Sequence, residues 1–156
     1  MPLSKLVTLL RIGHGGRLLV AEAVLRLAMA RLSLALFPFR RVVRRLGRLM
    51  SPDDARARGS GEAGEAIVSA ACQIGWAIRA VAPSMPFKAL CLQQALAAHA
   101  MLRRRGIAAP VHFGVVRDEP DRFEAHAWLE VAGVEVTGYP LPARLREIGC
   151  FVPDGD

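Results

Sequence analysis

The sequence predicts a single α+β domain with its helices first and an antiparallel sheet last. Apolar residues recur at helical spacing as far as Arg103, β-branched residues crowd the last third, and turn-forming residues punctuate that third. With 156 residues, 53% of them hydrophobic, the chain is long enough for one real core.

Over residues 17–36, Leu18, Ala21, Leu25, Ala28, Leu32 and Ala35 alternate at spacings of three and four, which predicts a helix burying that stripe. Glu22 and Arg26, four apart, read as a favourable pair on another side. The helix is apolar over most of its circumference and needs cover from the domain, a second copy, a partner or a membrane surface. After the Pro38 break, FPFRRVVRRLGRLM predicts a short basic amphipathic helix. Arg40, Arg41, Arg44, Arg45 and Arg48 line one face, and Val42, Val43, Leu46 and Leu49 the other. Ser, Pro, Asp and Gly gather over residues 51–65, which reads as a surface loop.

A third helix is expected from about Glu62 to Val81, burying Ile67, Ala70, Ala71, Ile74, Ala77 and Ile78, until APSMP ends it. The next begins between Pro86 and Leu90. It ends at Arg103, Arg104 and Arg105 before Gly106, the pairing of last-turn cations with a following glycine that marks a helix C-terminus. PVHFGVVR reads as a strand and DEPDR as its turn. EAHAWLEV and VEVTGY follow as two strands about an Ala132-Gly133 turn, and PARLREIG is expected to add a closing helical turn.

Charge divides the chain, with a net +9 over residues 1–60 and −2 over residues 61–156. This division predicts a basic helical N-terminal segment, 1–60, for partner docking and a core domain, 61–156. The basic segment suits an acidic peptide or protein, or a membrane-surface contact. Nucleic acid is not expected, because the arginines lack interleaved aromatics and no binding motif is present. MPLSKLVTLLRIGHGG meets Arg11 early and shows no signal-peptide pattern, and AIVSAACQIGWAI stops at Arg79, short of the roughly 18 residues a membrane span needs, so a cytoplasmic protein is expected. Three widely spaced cysteines, Cys72, Cys91 and Cys150, suggest neither a disulfide framework nor a zinc finger.

Chemistry concentrates at two positions. Cys91 falls within the first one or two turns of the helix in CLQQALAAHAMLRRRG, on a face with Ala95, Ala98 and Leu102, and His126 lies on the strand in FEAHAWLEV, alternating with Trp128 and Glu130. Unpaired amides and the positive dipole end of a helix stabilise a thiolate and can hold a developing oxyanion. An imidazole on a nearby strand would complete a nucleophilic dyad. The plain reading of each residue alone is a small core thiol and a hydrogen-bonded histidine. His99 also competes for the role of base, but it lies eight residues along the Cys91 helix, about 12 Å by helix rise. His112 stays open as an alternative.

CLQQALAAHAMLRRRGIAAPVHFGVVRD followed by FEAHAWLEVAGVEVTGYP resembles the transglutaminase-like cysteine peptidases that remove the leader from lasso-peptide precursors, in their stand-alone form. Residues 84–140 carry the resemblance most strongly, and LLVAEAVLRLAMARLSLALFPFRRVVRRLG is similar to the N-terminal part of the same proteins. It implies a transglutaminase-like (papain-like) core with the nucleophile at a helix N-terminus packed on an antiparallel sheet, Cys91 as nucleophile and His126 as general base. The family's third member, an Asp on the next strand, falls here at Gly138. Glu135 is the nearest downstream acid; a two-residue hairpin loop would set it on the side of His126, and a three-residue loop would turn it away.

The resemblance further implies a lasso precursor leader as substrate, a separate leader-recognition protein, and an ATP-dependent cyclase to which ATP belongs. No cofactor is expected in this chain, since HGGR is too short for a phosphate loop and lacks its Lys, and no metal is expected, since no Cys/His cluster has zinc-finger spacing. Two other functions fit the same residues: acyl transfer through the same dyad, and a non-catalytic basic helical interaction module.

Overall fold

The computed structural model describes residues 13–51, 64–119 and 122–153. Its elements are α1 (His14–Leu36), α2 (Phe39–Val43), a 3-10 turn (Arg44–Leu46), β1 (Arg48–Met50), α3 (Glu65–Val81), α4 (Cys91–Arg103), β2 (Val111–Glu119), β3 (Arg122–Val131), β4 (Val134–Thr137) and β5 (Leu145–Val152). The loop expected over residues 51–65 and the centre of the DEPDR turn fall mostly outside the described residues. The strands form one antiparallel sheet in the order β1-β5-β2-β3-β4. The class is α+β, as the pattern predicts.

Helices cover one face of the sheet. Ile74 and Ile78 of α3, and Ala95, Ala98 and Met101 of α4, join Val111, Ala127, Leu129 and Val136 in one buried cluster. Small residues set the distances: Arg79 Nη1 donates to the Val136 carbonyl at 2.9 Å beside Gly75, where a side chain would collide with that same carbonyl. By length and composition Glu65–Ser84 could cross a membrane, with a mean hydropathy of 1.3, yet Ala71, Ile74, Ala77 and Ile78 are fully buried in this core.

Helix α1 corrects the expected stripe. It buries Leu19, Ala23, Leu27 and Ala30 against α3 and α4, and leaves Leu18, Leu25 and Leu32 more than half exposed. A helix apolar all round carries little phase information, so packing chooses the face, and Ala23 and Ala30 let neighbouring backbones approach. The expected basic helix is also broken. After α2 and one 3-10 turn the chain passes Gly47 and extends into β1, which pairs with β5 and leaves Leu49 exposed. Leu19, Ala23, Leu27, Val43 and Leu46 belong to the same buried cluster as α3 and α4, so the described part of residues 1–60 is built into the core.

Glu22 does not pair with Arg26. Its carboxylate accepts from Arg104 Nε at 2.8 Å and Nη2 at 3.0 Å, and from Arg105 Nη2 at 2.9 Å, tying α1 to the end of α4. Burial alone would raise its pKa, but the hydrogen bonds and charges of Arg105 and Arg104 outweigh that and hold it below the ordinary value. The folded-state pKa is depressed, so the stabilisation is present above the unfolded-state value and is lost as pH falls through the folded one. Glu22→Gln should cost about 1 kcal/mol at pH 7, Arg104 being largely exposed. Urea denaturation should show this difference at neutral pH and its disappearance in acid.

The closing helical turn expected in PARLREIG is instead the start of β5, which lies between β1 and β2. Its apolar alternation is disguised by a bulge: Phe113 pairs with Gly149, but Gly114 pairs with Glu147, leaving Ile148 as the extra residue.

Candidate active site

Cys91 is the first residue of α4, with Leu90 as the extended N-cap. Two glutamines fix this start. Gln93 Oε1 accepts from the Leu90 amide at 2.7 Å, and Gln94 Nε2 donates to the Ala89 carbonyl at 2.7 Å. The first intrahelical bond runs from the Gln94 amide to the Leu90 carbonyl, so the amides of Cys91, Leu92 and Gln93 have no acceptor within the helix. Cys91 is half-buried against the core cluster. A groove of about 690 Å³, lined by Pro83, Met85, Phe87, Lys88, Leu90 and Gln94, lies along the chain leading into it. Gln at the third helical position is the signal in the sequence for this cap.

His126 lies on β3 opposite Gly114 of β2, and its Nε2–H donates to the Gly138 carbonyl at 2.6 Å. That bond fixes the tautomer and leaves Nδ1 as the basic nitrogen. The position where the motif leads one to expect an acid therefore supplies a main-chain acceptor instead. A side chain cannot be added there without rearrangement. Gly138 has φ +85°, and a Cβ would lie 2.5 Å from the Ala127 carbonyl oxygen and 2.6 Å from Trp128 Cβ.

The structure places Glu135, expected as the orienting acid, away from His126. The hairpin loop has two residues and Glu135 pairs with Glu130, but it is exposed and makes no hydrogen bond to His126, whose ring is held by Gly138. Each step along β3 is about 3.4 Å, so the four residues from His126 to Glu130 put that pair beyond reach. Glu130 accepts instead from the Tyr139 hydroxyl at 2.9 Å.

Neither competing histidine is poised beside Cys91. His99 is buried and donates from Nδ1 to the Ala109 carbonyl at 3.0 Å, bracing α4 against the approach to β2. Burial pushes its pKa below the ordinary histidine value, against the Ala109 hydrogen bond and helped by nearby Arg103. His112 donates from Nδ1 to Glu147 at 2.7 Å and stacks on Trp128.

α4 packs against β3, so the structure brings together the elements bearing Cys91 and His126. Among the described residues no hydrogen bond joins the two side chains. Strand alternation gives the reason. Ala127 and Leu129 face the helices, whereas His126 shares the other face with Trp128, against which its ring stacks at 6.2 Å. β4 pairs with β3 only at Leu129–Val131, and beyond it the Gly138 segment lies against β3 beside His126.

A family model described as the transglutaminase-like superfamily matches residues 33–149. No curated protein and no solved structure matches the chain.

Proposed function

The chain belongs to the transglutaminase-like superfamily, generally cysteine proteases or acyltransferases, and from that premise we propose that it is a cysteine endopeptidase removing the leader from a ribosomally made lasso-peptide precursor. The observation that carries this reading is the position of Cys91: first residue of a helix whose first amides have no intrahelical acceptor, with a groove along the residues that precede it.

In the proposed reaction the precursor seats along that groove, and His126 closes on Cys91. Catalytic hydrogen bonds often tighten only once substrate is bound. His126 Nδ1 takes the thiol proton and Sγ attacks the carbonyl carbon of the last leader residue. The amides at the start of α4 stabilise the oxyanion. Collapse breaks the C–N bond, the imidazolium gives its proton to the departing core amine, and the leader remains as a thioester on Cys91. Water then attacks, with His126 again the base, releasing the leader carboxylate and the thiol.

The exposed Arg40, Arg41, Arg44, Arg45 and Arg48, together with the uncovered Leu18, Leu25 and Leu32, are assigned to docking a separate leader-recognition protein. Ring closure of the core falls to an ATP-dependent partner.

The base assignment has a direct comparison. His126→Ala should lower turnover by about 10²-fold or more, while Glu135→Gln should match the parent chain. Rates of leader release, followed by mass spectrometry on precursor peptide, decide it. A normal rate for His126→Ala would remove this residue from the mechanism.

A further inference from the structure

On the sheet face away from the helices, three side chains that no step above uses converge. One donor atom each from His112, Glu147 and Cys150 lies within 4.8 Å of the others. We propose that these residues form a zinc site: imidazole nitrogen, carboxylate oxygen and thiolate, with the fourth position open to water.

The backbone is shaped for this convergence. His112 and Cys150 are direct cross-strand partners and so share a face. Glu147 and Cys150 are three apart on β5, a separation that in a regular strand sends side chains to opposite faces. The bulge at Ile148 reverses that parity. It turns Ile148 outward, 60% exposed, and restores Glu147 to the face carrying His112 and Cys150. Without the bulge the carboxylate would point toward the helices. Trp128 stacks on His112 with centroids 5.3 Å apart and planes 14° from parallel, which holds the imidazole plane in place.

The donor set selects the ion. A mixed nitrogen, oxygen and sulfur set suits zinc, whereas magnesium and calcium take oxygen ligands. Bond lengths of about 2.0–2.3 Å in a tetrahedral site put donor atoms roughly 3.3–3.8 Å apart, so small side-chain adjustments close the present spacing. A thiolate and a carboxylate together neutralise a divalent cation. The short His112–Glu147 contact of 2.7 Å would open to admit the ion, the His112 proton would pass to Nε2 so that Nδ1 can bind, and the Cys150 thiol proton would be released. Access is from the Glu147 side: the side chains of Glu147 and His112 are 31% and 13% exposed, and Cys150 is fully buried behind them.

Cobalt(II) is the probe, titrated into the reduced full chain with absorption read in the near-ultraviolet and visible regions. One cobalt per chain should bind with a sulfur-to-cobalt charge-transfer band, and zinc should displace it. Cys150→Ser should lose the band, whereas a Cys72→Ser/Cys91→Ser double variant should keep it in full. Glu147→Gln, at the exposed mouth, should weaken cobalt binding by roughly tenfold or more even if Cys150→Ser fails to fold. No band in the parent chain, loss of the band in the double variant, or unchanged affinity in Glu147→Gln would each overturn the site.

Discussion

Cys91→Ala should abolish leader cleavage, by about 10⁴-fold or more, and leave the fold intact. The expected loss is large because nothing else near the start of α4 can form the thioester. The expected structural cost is small, because Cys91 is only half-buried and the helix start is fixed by Gln93 and Gln94. Cys72 is exposed on α3 and Cys150 is buried on β5, and Cys72→Ala and Cys150→Ala should retain most activity. Precursor digests resolved by mass, with far-ultraviolet circular dichroism as the folding control, give the comparison.

Gly138→Asp should be damaging, although it restores the acid that the sequence motif leads one to expect. At φ +85° an Asp occupies the left-handed region at some cost, and its Cβ meets the Ala127 carbonyl and the Trp128 backbone. Together these effects should destabilise the protein by roughly 2–5 kcal/mol, or about 5–15 °C in Tm for a chain of this size. Any relaxation also displaces the carbonyl that accepts from His126 Nε2, so kcat should fall along with stability. Thermal melts and initial rates measured below the variant's Tm separate the two effects. A Gly138→Asp chain as stable as the parent and more active would mean that the loop can hold a carboxylate and that the carbonyl is dispensable.

What could be read from the sequence follows from how much each signal depends on tertiary packing. α3 was legible because its buried alanines and isoleucines repeat on one face, and both α3 and α4 because APSMP and Gly106 bound them. The β3–β4 hairpin was legible from its turn pair. α1 was legible as a helix but not as an oriented one, since its apolar surface runs all round and only contact with α3 and α4 selects Leu19 and Leu27 over Leu18 and Leu25.

β5 was missed because one inserted residue breaks its period of two, and with it went the grouping of His112, Glu147 and Cys150, which lie on two strands. Cys91 and His126 were legible as residue types at a helix start and on a strand. That alternation would set Ala127 toward α4 and His126 away from it required knowing which face the helices cover. The acceptor for His126 was invisible for a simpler reason: a main-chain carbonyl leaves no mark in a sequence, and Gly138 registers only as a missing acid.

The central claim is that Cys91 carries the acyl group. It is tested most directly by quenching the reaction in acid during turnover, weighing the intact protein and mapping the adduct by peptide fragmentation. The account predicts a mass increase equal to the leader acyl group, held as a thioester on Cys91 and absent from Cys91→Ala. An acyl group on Cys150, which shares the sheet face of His126, or continued cleavage by Cys91→Ala, would contradict it.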